Sequence, residues 1–184
     1  MSDRERLPPV TPEQMTPAQA AAARVISAGP RGEVRGPFAV LLRSPDLMDR
    51  AQKLGEHIRF GSPLSDHLRE WAVLVTAAYW RQPYEWSVHA PLALKAGVPH
   101  GLVDALGEGR APQGMTEDEA LVHAVCTSLN RTGRLDDGLF DHGKAVLGET
   151  GLVELTALCG YYVMLAMVLN VAGTPPQAGG PNPF

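Results

Sequence analysis

The feature that most constrains the fold of this chain is an almost uniformly apolar run from Trp71 to Trp80. Ser65 can cap a helix that leads into this run, and the helix should end before Pro83, because a residue that precedes proline disfavours the helical conformation. A helix that is apolar on nearly every side has no face suited to water, so other elements must pack around it. The run therefore predicts a central, buried helix.

The rest of the chain repeats the helical pattern. Proline follows Ser44 at a first helical position, and apolar residues then recur at intervals of three and four, which predicts a helix over 45–60. No segment alternates apolar and polar residues as a half-buried strand would. We expect an all-α fold, a compact bundle of about seven to eight helices. Further helical patterns cover 18–27, 117–130, 136–147 and 152–171. Another runs from 83 to a stop at Gly97, and a short one starts near Pro99.

The chain has 184 residues, a length that suits one domain with a single core. Proline and polar residues predict an N-terminal arm over 1–16, and a proline- and glycine-rich end predicts a flexible tail over 174–184. The intervening residues 17–173 are expected to form one all-helical domain.

Charge and composition argue against two classes of partner. The formal net charge is only -4, with 16 basic and 20 acidic residues, so no surface for nucleic acid is expected. The N-terminus lacks the apolar segment of a secretory signal. The most apolar late segment, Leu155 to Leu169, is shorter than the roughly 20 residues that cross a bilayer. We expect a cytoplasmic protein that binds neither nucleic acid nor a membrane.

The two cysteines, Cys126 and Cys159, are far apart in sequence, and each lies inside an apolar helical pattern. Small thiols are common in such buried positions. A structural disulfide is not expected in a reducing compartment. We therefore interpret both cysteines as core residues.

Glu85 and His89 are the residues most suited to chemistry. They stand four residues apart, so on a helix they share a face, and the carboxylate can orient the imidazole and favour its protonated form. Such a pair can donate or accept a proton near neutral pH. The neighbours Tyr84 and Trp86 predict partly dry surroundings. The spacing also fits a pair that is solvated or that only satisfies the core, so both interpretations stay open.

A longer resemblance includes this pair and Glu70, which lies at the entry to the apolar run. The segment around them resembles the signature region of the carboxymuconolactone decarboxylase and alkylhydroperoxidase-D-like superfamily; it reads LREWAVLVTAAYWRQPYEWSVHAPLALKAGV. Its flanks resemble those of longer single-chain members, in RLPPVTPEQMTPAQ, GPFAVLLRSP and GLVELTALCGYYVMLAMVLNV. The resemblance covers most of the chain and implies an alkylhydroperoxidase-D-like helical fold.

The peroxidase branch of this superfamily has a glutamate, a Cys-x-x-Cys pair and a histidine four residues after the second cysteine. The glutamate matches Glu70 and the histidine matches His89, whereas the cysteine positions hold Gln82 and Glu85. Peroxide reduction needs a thiolate and a resolving thiol, so this site lacks both partners of that reaction. An alkylhydroperoxidase-like antioxidant function is therefore the least favoured alternative.

The remaining residues resemble the decarboxylase side of the superfamily, whose type reaction converts 4-carboxymuconolactone to the enol-lactone of β-ketoadipate without a metal or organic cofactor. The resemblance implies a lyase, or a related proton-transfer enzyme, that acts on a small carboxylated lactone or similar organic acid and uses no cofactor. His89 is the candidate proton donor, Glu85 would orient and tune it, and Glu70 would support it or relay protons. A non-catalytic ligand-binding or assembly protein of the same fold is the alternative.

Other candidates concern substrate binding and assembly. An arginine would hold substrate carboxylates, since its planar fork fits their geometry; the candidates are Arg81 and Arg43, with Arg35 in a loop. The candidate aromatic binding residues are Tyr84, Trp86 and Tyr161, of which Tyr161 fits a core tyrosine equally well. The histidines show no metal-ligand spacing, so no metal site is expected. The superfamily resemblance implies a homo-oligomer, and we expect a trimer or a multiple of three.

Overall fold

A computed structural model describes residues 4–184, so residues 1–3 of the predicted arm lie outside the described range. Within that range the chain forms eight α-helices, one short 3-10 helix and no strand, which confirms the all-α expectation. The 3-10 helix is Pro12–Gln14, and the α-helices are α1 Pro17–Ala28, α2 Pro37–Leu41, α3 Pro45–Phe60, α4 Asp66–Tyr79, α5 Pro83–Lys95, α6 His100–Gly107, α7 Glu117–Thr132 and α8 Asp137–Ala172.

Helix starts follow local signals in the sequence. Proline occupies the first turn of α1, α2, α3 and α5, where its missing N–H costs no helical hydrogen bond. Ser65 caps α4 by accepting a hydrogen bond from the Leu68 N–H at 3.3 Å. Thr116 and Glu119 form a reciprocal capping box at the start of α7. These interactions satisfy backbone donors that a helix end would otherwise leave unpaired.

The described chain divides into two compact units. One runs from residue 4 to Gly61 and includes Met167–Pro175; within it, α3 packs against α1 and α2. The other contains Ser62–Ala166 and Pro176–Phe184; within it, α4 packs against α5, α6 and α7. The organisation as a single domain over 17–173 stays a prediction.

The apolar helix α4 is the buried centre of the second unit. Every residue from Glu70 to Ala77 is buried, which confirms the prediction from its composition. The Trp71 indole N–H donates a hydrogen bond to the Glu119 carbonyl at 3.0 Å, so the bulkiest residue of α4 is also satisfied as a donor. Helices on several sides thus remove the run from water as far as Ala77, whereas Tyr79 near its end is 47% exposed.

Helix α5 continues through Pro91, which lies inside the helix. Pro91 is exposed, as expected for a ring that occupies the outer side of a helix. Glu85 and His89 both precede it on the same helix. The first part of α5 therefore holds the two residues one turn apart, as their spacing predicted.

Helix α8 consists of two parts that meet at Gly148. This residue has φ 70° and ψ 172°, a backbone conformation outside the helical region. The two parts correspond to the helices predicted over 136–147 and 152–171. Glycine is required here because L-residues rarely adopt this conformation.

Gly148→Ala is expected to lower the free energy of unfolding by about 1 to 3 kcal/mol through backbone strain. A Cβ at this position would meet no atom within 4 Å, so a steric clash would not contribute. Gly160→Ala is the matched control, since Gly160 lies in the regular part of α8 with equally open space. The control should raise stability by roughly 0.5 to 1 kcal/mol, because alanine favours helix. Chemical denaturation measures the free energy of unfolding of both variants. Equal changes in the two would contradict the assignment of strain to Gly148.

Among residues 4–184, one helix, α8, is long and apolar enough to cross a membrane by length and composition alone. Half of its most apolar window is buried inside the structure. A core helix of a soluble protein passes the same test, and Gly148 interrupts this one. The expected absence of membrane binding stays a prediction.

Candidate active site

Three buried side chains meet at the packed pair α4 and α5: Glu70, Glu85 and His89, here called the trio. Their relative exposures are 5%, 4% and 3%. Nδ1 of His89 lies 2.6 Å from Oε2 of Glu70, and Nε2 lies 3.4 Å from Oε2 of Glu85. The imidazole is therefore placed between two carboxylates, one on each ring nitrogen.

The start of α5 positions two members of the trio. The Gln82 side-chain oxygen accepts hydrogen bonds from the backbone N–H groups of Tyr84, at 2.6 Å, and Glu85, at 3.4 Å. Gln82 is thus the N-cap of α5. Gln82 stands where the peroxidase branch has its first cysteine, and in this chain it caps the helix.

Within the trio, His89 carries a positive charge at neutral pH. Burial by itself lowers the pKa of His89, but the charge and hydrogen bond of Glu70, together with those of Glu85, outweigh burial and raise this pKa to about 9. An imidazole between two carboxylates gains more from their charges than it loses by leaving water. At pH 7 His89 is therefore an imidazolium that can donate a proton.

Two buried atoms make no hydrogen bond within residues 4–184: Oε1 of Glu85, in the trio, and Nε of Arg69, beside it. The Arg69 Nε lies 4.0 Å from Oε1 of Glu70, while its Nη2 donates to Asp66 at 2.9 Å. A buried acceptor and a buried donor without hydrogen bonds are costly in a folded protein. Both atoms are therefore available to a bound ligand or to water.

Tyrosines from α8 complete the surroundings of the imidazole. The Tyr162 ring stands perpendicular to the His89 ring with 5.1 Å between centroids. Tyr161, a predicted binding residue, is buried and packs edge-on against Tyr162 at 5.5 Å. Tyr161 thus packs against Tyr162, the tyrosine whose ring contacts the His89 ring.

Arg81 and Trp86, two predicted binding residues, both contact the ring of Phe184. The exposed Arg81 guanidinium lies over the Phe184 ring at 5.5 Å, and the buried Trp86 ring meets the same ring edge-on at 5.3 Å. Gln177 also donates its backbone N–H to the Ser87 hydroxyl at 2.8 Å. The segment predicted as a flexible tail therefore lies against α5, and its flexibility stays a prediction.

Arg43 belongs to the first unit and makes its contacts there. Its guanidinium is exposed and donates to the Pro8 carbonyl at 2.6 Å and to the Ala39 carbonyl at 3.3 Å. Arg35 forms an exposed ion pair with Glu33 at 3.3 Å. These arginines are occupied by neighbours in their own unit.

Arg69 is the site residue that the sequence did not single out. It lies next to Glu70 and three residues after Asp66, a spacing that fits an ordinary pair on a helix surface. Its side chain is only 11% exposed, and only the packing of α4 shows that its Nε is buried beside a trio carboxylate. No signal in the sequence distinguished it from the other arginines.

In the described part of the chain, no group of three or more His, Cys, Asp or Glu side chains is arranged to hold a metal ion. In the trio, both ring nitrogens of His89 face carboxylates, so neither is directed at an open coordination position. The absence of a cofactor stays a prediction.

Comparison with known proteins gives one family. Residues 45–125 match the sequence model of the carboxymuconolactone decarboxylase family. This range runs from the start of α3 into α7 and contains the whole trio. The match confirms the resemblance found in the sequence over these residues. No curated protein matches the chain.

Proposed function

We propose that this chain, which carries a carboxymuconolactone decarboxylase family region, is a carbon–carbon lyase or a related proton-transfer enzyme that uses no cofactor. Its substrate would be a small carboxylated lactone or a similar organic acid. The observation that carries the proposal is the imidazolium of His89, buried between the carboxylates of Glu70 and Glu85. A buried, charged proton donor is what protonation of a carbanion requires.

The proposed reaction has two steps. The carbon–carbon bond to a substrate carboxylate breaks, carbon dioxide leaves, and the bonding electron pair passes into the conjugated lactone as an enolate. His89 then gives a proton to carbon and becomes neutral, and it regains a proton from solvent before the next turnover. The dry surroundings strengthen every charge interaction that stabilises the enolate.

The distances divide the supporting roles between the two carboxylates. The 2.6 Å contact makes Glu70 the residue that orients the imidazole, because it binds Nδ1 more closely than Glu85 binds Nε2 at 3.4 Å. Glu85 keeps one buried oxygen without a hydrogen bond, so we assign it to proton exchange at the substrate side. The sequence suggested the reverse, with Glu85 orienting His89 and Glu70 supporting it or relaying protons.

Arg69 is the arginine that we assign to a substrate carboxylate. Its Nε is buried beside Glu70 and makes no hydrogen bond, whereas Arg81 and Arg43 are exposed and contact other groups. A guanidinium that is held in place by Asp66 loses little freedom when it binds a second carboxylate.

One observation favours the alternative, a ligand-binding or assembly protein without catalysis. All three trio side chains are at most 5% exposed, as expected for a polar cluster that only satisfies a core. A substrate could reach the trio only after some displacement of its surroundings. The antioxidant alternative has no support at this site, because Gln82 and Glu85 occupy the two cysteine positions.

The proposal also includes assembly with other copies of the chain in the cytoplasm, as a trimer or a multiple of three. Support comes from α8, where Phe140, Val146 and Val153 are 47%, 45% and 68% exposed. Phe140 and Val153 also line a groove of about 570 Å³ whose walls are mainly apolar. Apolar groups of this kind commonly complete their burial across subunits.

Incubation of the purified chain with 4-carboxymuconolactone, and with a panel of acids from aromatic catabolism, tests the proposal. We expect release of carbon dioxide from at least one acid that also raises the melting temperature, since ligand binding stabilises the native state. Product analysis by mass spectrometry should show a product lighter than the neutral acid by the mass of carbon dioxide. Binding without release of carbon dioxide across the panel would favour the non-catalytic alternative.

A further inference from the structure

The two cysteines, interpreted from sequence as separate core residues, lie side by side. Cys126 on α7 and Cys159 on α8 are 33 positions apart, yet their sulfur atoms are separated by only 3.2 Å. Both are buried, with exposures of 0% and 3%, and both are free thiols. The expectation of burial is confirmed, and their separation in sequence gave no sign of the pairing.

A polar network surrounds the sulfur of Cys159. The Thr76 hydroxyl can donate to it at 4.0 Å. Asn130 donates to the Thr76 oxygen at 3.4 Å and to the Cys126 carbonyl at 2.8 Å, while the Trp80 indole N–H donates to Asn130 at 2.9 Å. These contacts fix Thr76 and the Cys126 backbone beside the thiol pair.

The network makes the two thiols unequal. Hydrogen bonding from Cys126, helped by Thr76, lowers the pKa of Cys159 in spite of its burial. The hydrogen bond to Cys159, together with burial, raises the pKa of Cys126 well above its ordinary value. A thiolate is the nucleophilic form of cysteine, so Cys159 is the thiol prepared to react and Cys126 is the thiol that stays protonated.

We propose that Cys126 and Cys159 form a redox modification site, at which a small hydroperoxide produces a reversible disulfide between α7 and α8. The Cys159 thiolate attacks the peroxide oxygen, the O–O bond breaks, and water or an alcohol leaves after protonation. The resulting sulfenic acid is attacked by Cys126, a sulfur–sulfur bond forms, and its hydroxyl leaves as water. Two thiols are oxidised and one peroxide is reduced.

Geometry and access define the site. A disulfide has its sulfurs about 2.05 Å apart, so the pair must close by roughly 1 Å. Burial admits only a small oxidant, and hydrogen peroxide is the simplest. The site differs from the redox pair of the peroxidase branch, whose positions hold Gln82 and Glu85, and it does not depend on the proposed decarboxylation.

Mass spectrometry of the reduced, folded full-length chain treated with hydrogen peroxide tests the inference. Because the chain has 2 cysteines, an intrachain disulfide can only join this pair. We expect both thiols to disappear together with a loss of two hydrogens, and a reducing agent should restore them. Two thiols that stay free, or that gain oxygen independently, would overturn the proposal. A disulfide that forms only in urea would also overturn it, because the native structure would then not be the reacting species.

Two variants test the order of attack. In Cys126→Ala, Cys159 should stop at the sulfenic acid, which a dimedone probe labels. In Cys159→Ala, labelling of Cys126 should be slower by roughly tenfold or more, since its thiol is protonated. Equal labelling rates in the two variants would contradict the assignment of Cys159 as nucleophile. The wild-type experiment needs no substitution, so a variant that folds poorly does not remove the test.

Discussion

Replacing His89 with glutamine is expected to lower turnover by about 10²- to 10⁴-fold, the usual contribution of a positioned proton donor. His89 is the group that the proposed reaction uses to protonate carbon, and glutamine has no proton to transfer. Glutamine is preferred to alanine because its amide can still bond to one of the buried carboxylates. Alanine would remove the imidazolium from between the two buried carboxylates and would destabilise the fold as well.

Steady-state kinetics on the substrate found by the screen measures this effect, with circular dichroism as the check on folding. His142→Gln is the matched control, because His142 is exposed on α8 and makes no described contact with the trio. The control should keep wild-type turnover. Full turnover in a folded His89→Gln variant would exclude His89 as the proton donor, whereas binding in both proteins without turnover in either would favour the non-catalytic alternative.

The free energy of unfolding is expected to fall by on the order of 3 kcal/mol between about pH 6.5 and pH 9 because of His89 alone. The pKa of His89 is raised from 6.5 to about 9 in the folded state. A raised pKa means that the folded state binds the proton more tightly than the unfolded chain does. The stabilisation is therefore complete below pH 6.5, decreases as pH rises, and is lost above pH 9.

Urea denaturation at intervals from pH 6 to pH 9.5 measures the decrease, and Glu70→Gln provides the comparison. The variant keeps the size of the side chain but removes the charge that lies 2.6 Å from the imidazole. It should be less stable than the wild type at pH 6.5 and should lose most of the pH dependence, so the two curves converge towards pH 9. Parallel curves would show that the Glu70 charge does not hold the proton on His89. The result does not depend on any catalytic activity.

The sequence predicted the helices well because their signals are local. The starts of α3 at Pro45 and of α7 at Glu117 needed only neighbouring residues, and both are confirmed. The burial of α4 followed from its nearly uniform apolar composition. The contact between Glu85 and His89 was also predictable, since four residues on one helix fix which side chains can meet.

Only the tertiary structure decided which distant groups meet. Glu70 and His89 are 19 positions apart on different helices, and nothing in their spacing showed that this contact would be closer than that of Glu85. Cys126 and Cys159 were interpreted only as core residues, and the packed helices place their sulfurs 3.2 Å apart.

The sequence by itself therefore determined the helices, the buried run and the two residues that share a face of α5. The partner that orients His89 and the pairing of the thiols were decided by packing. The physical reason is that local backbone preferences act over a few residues, whereas contacts between helices depend on how whole apolar faces fit together.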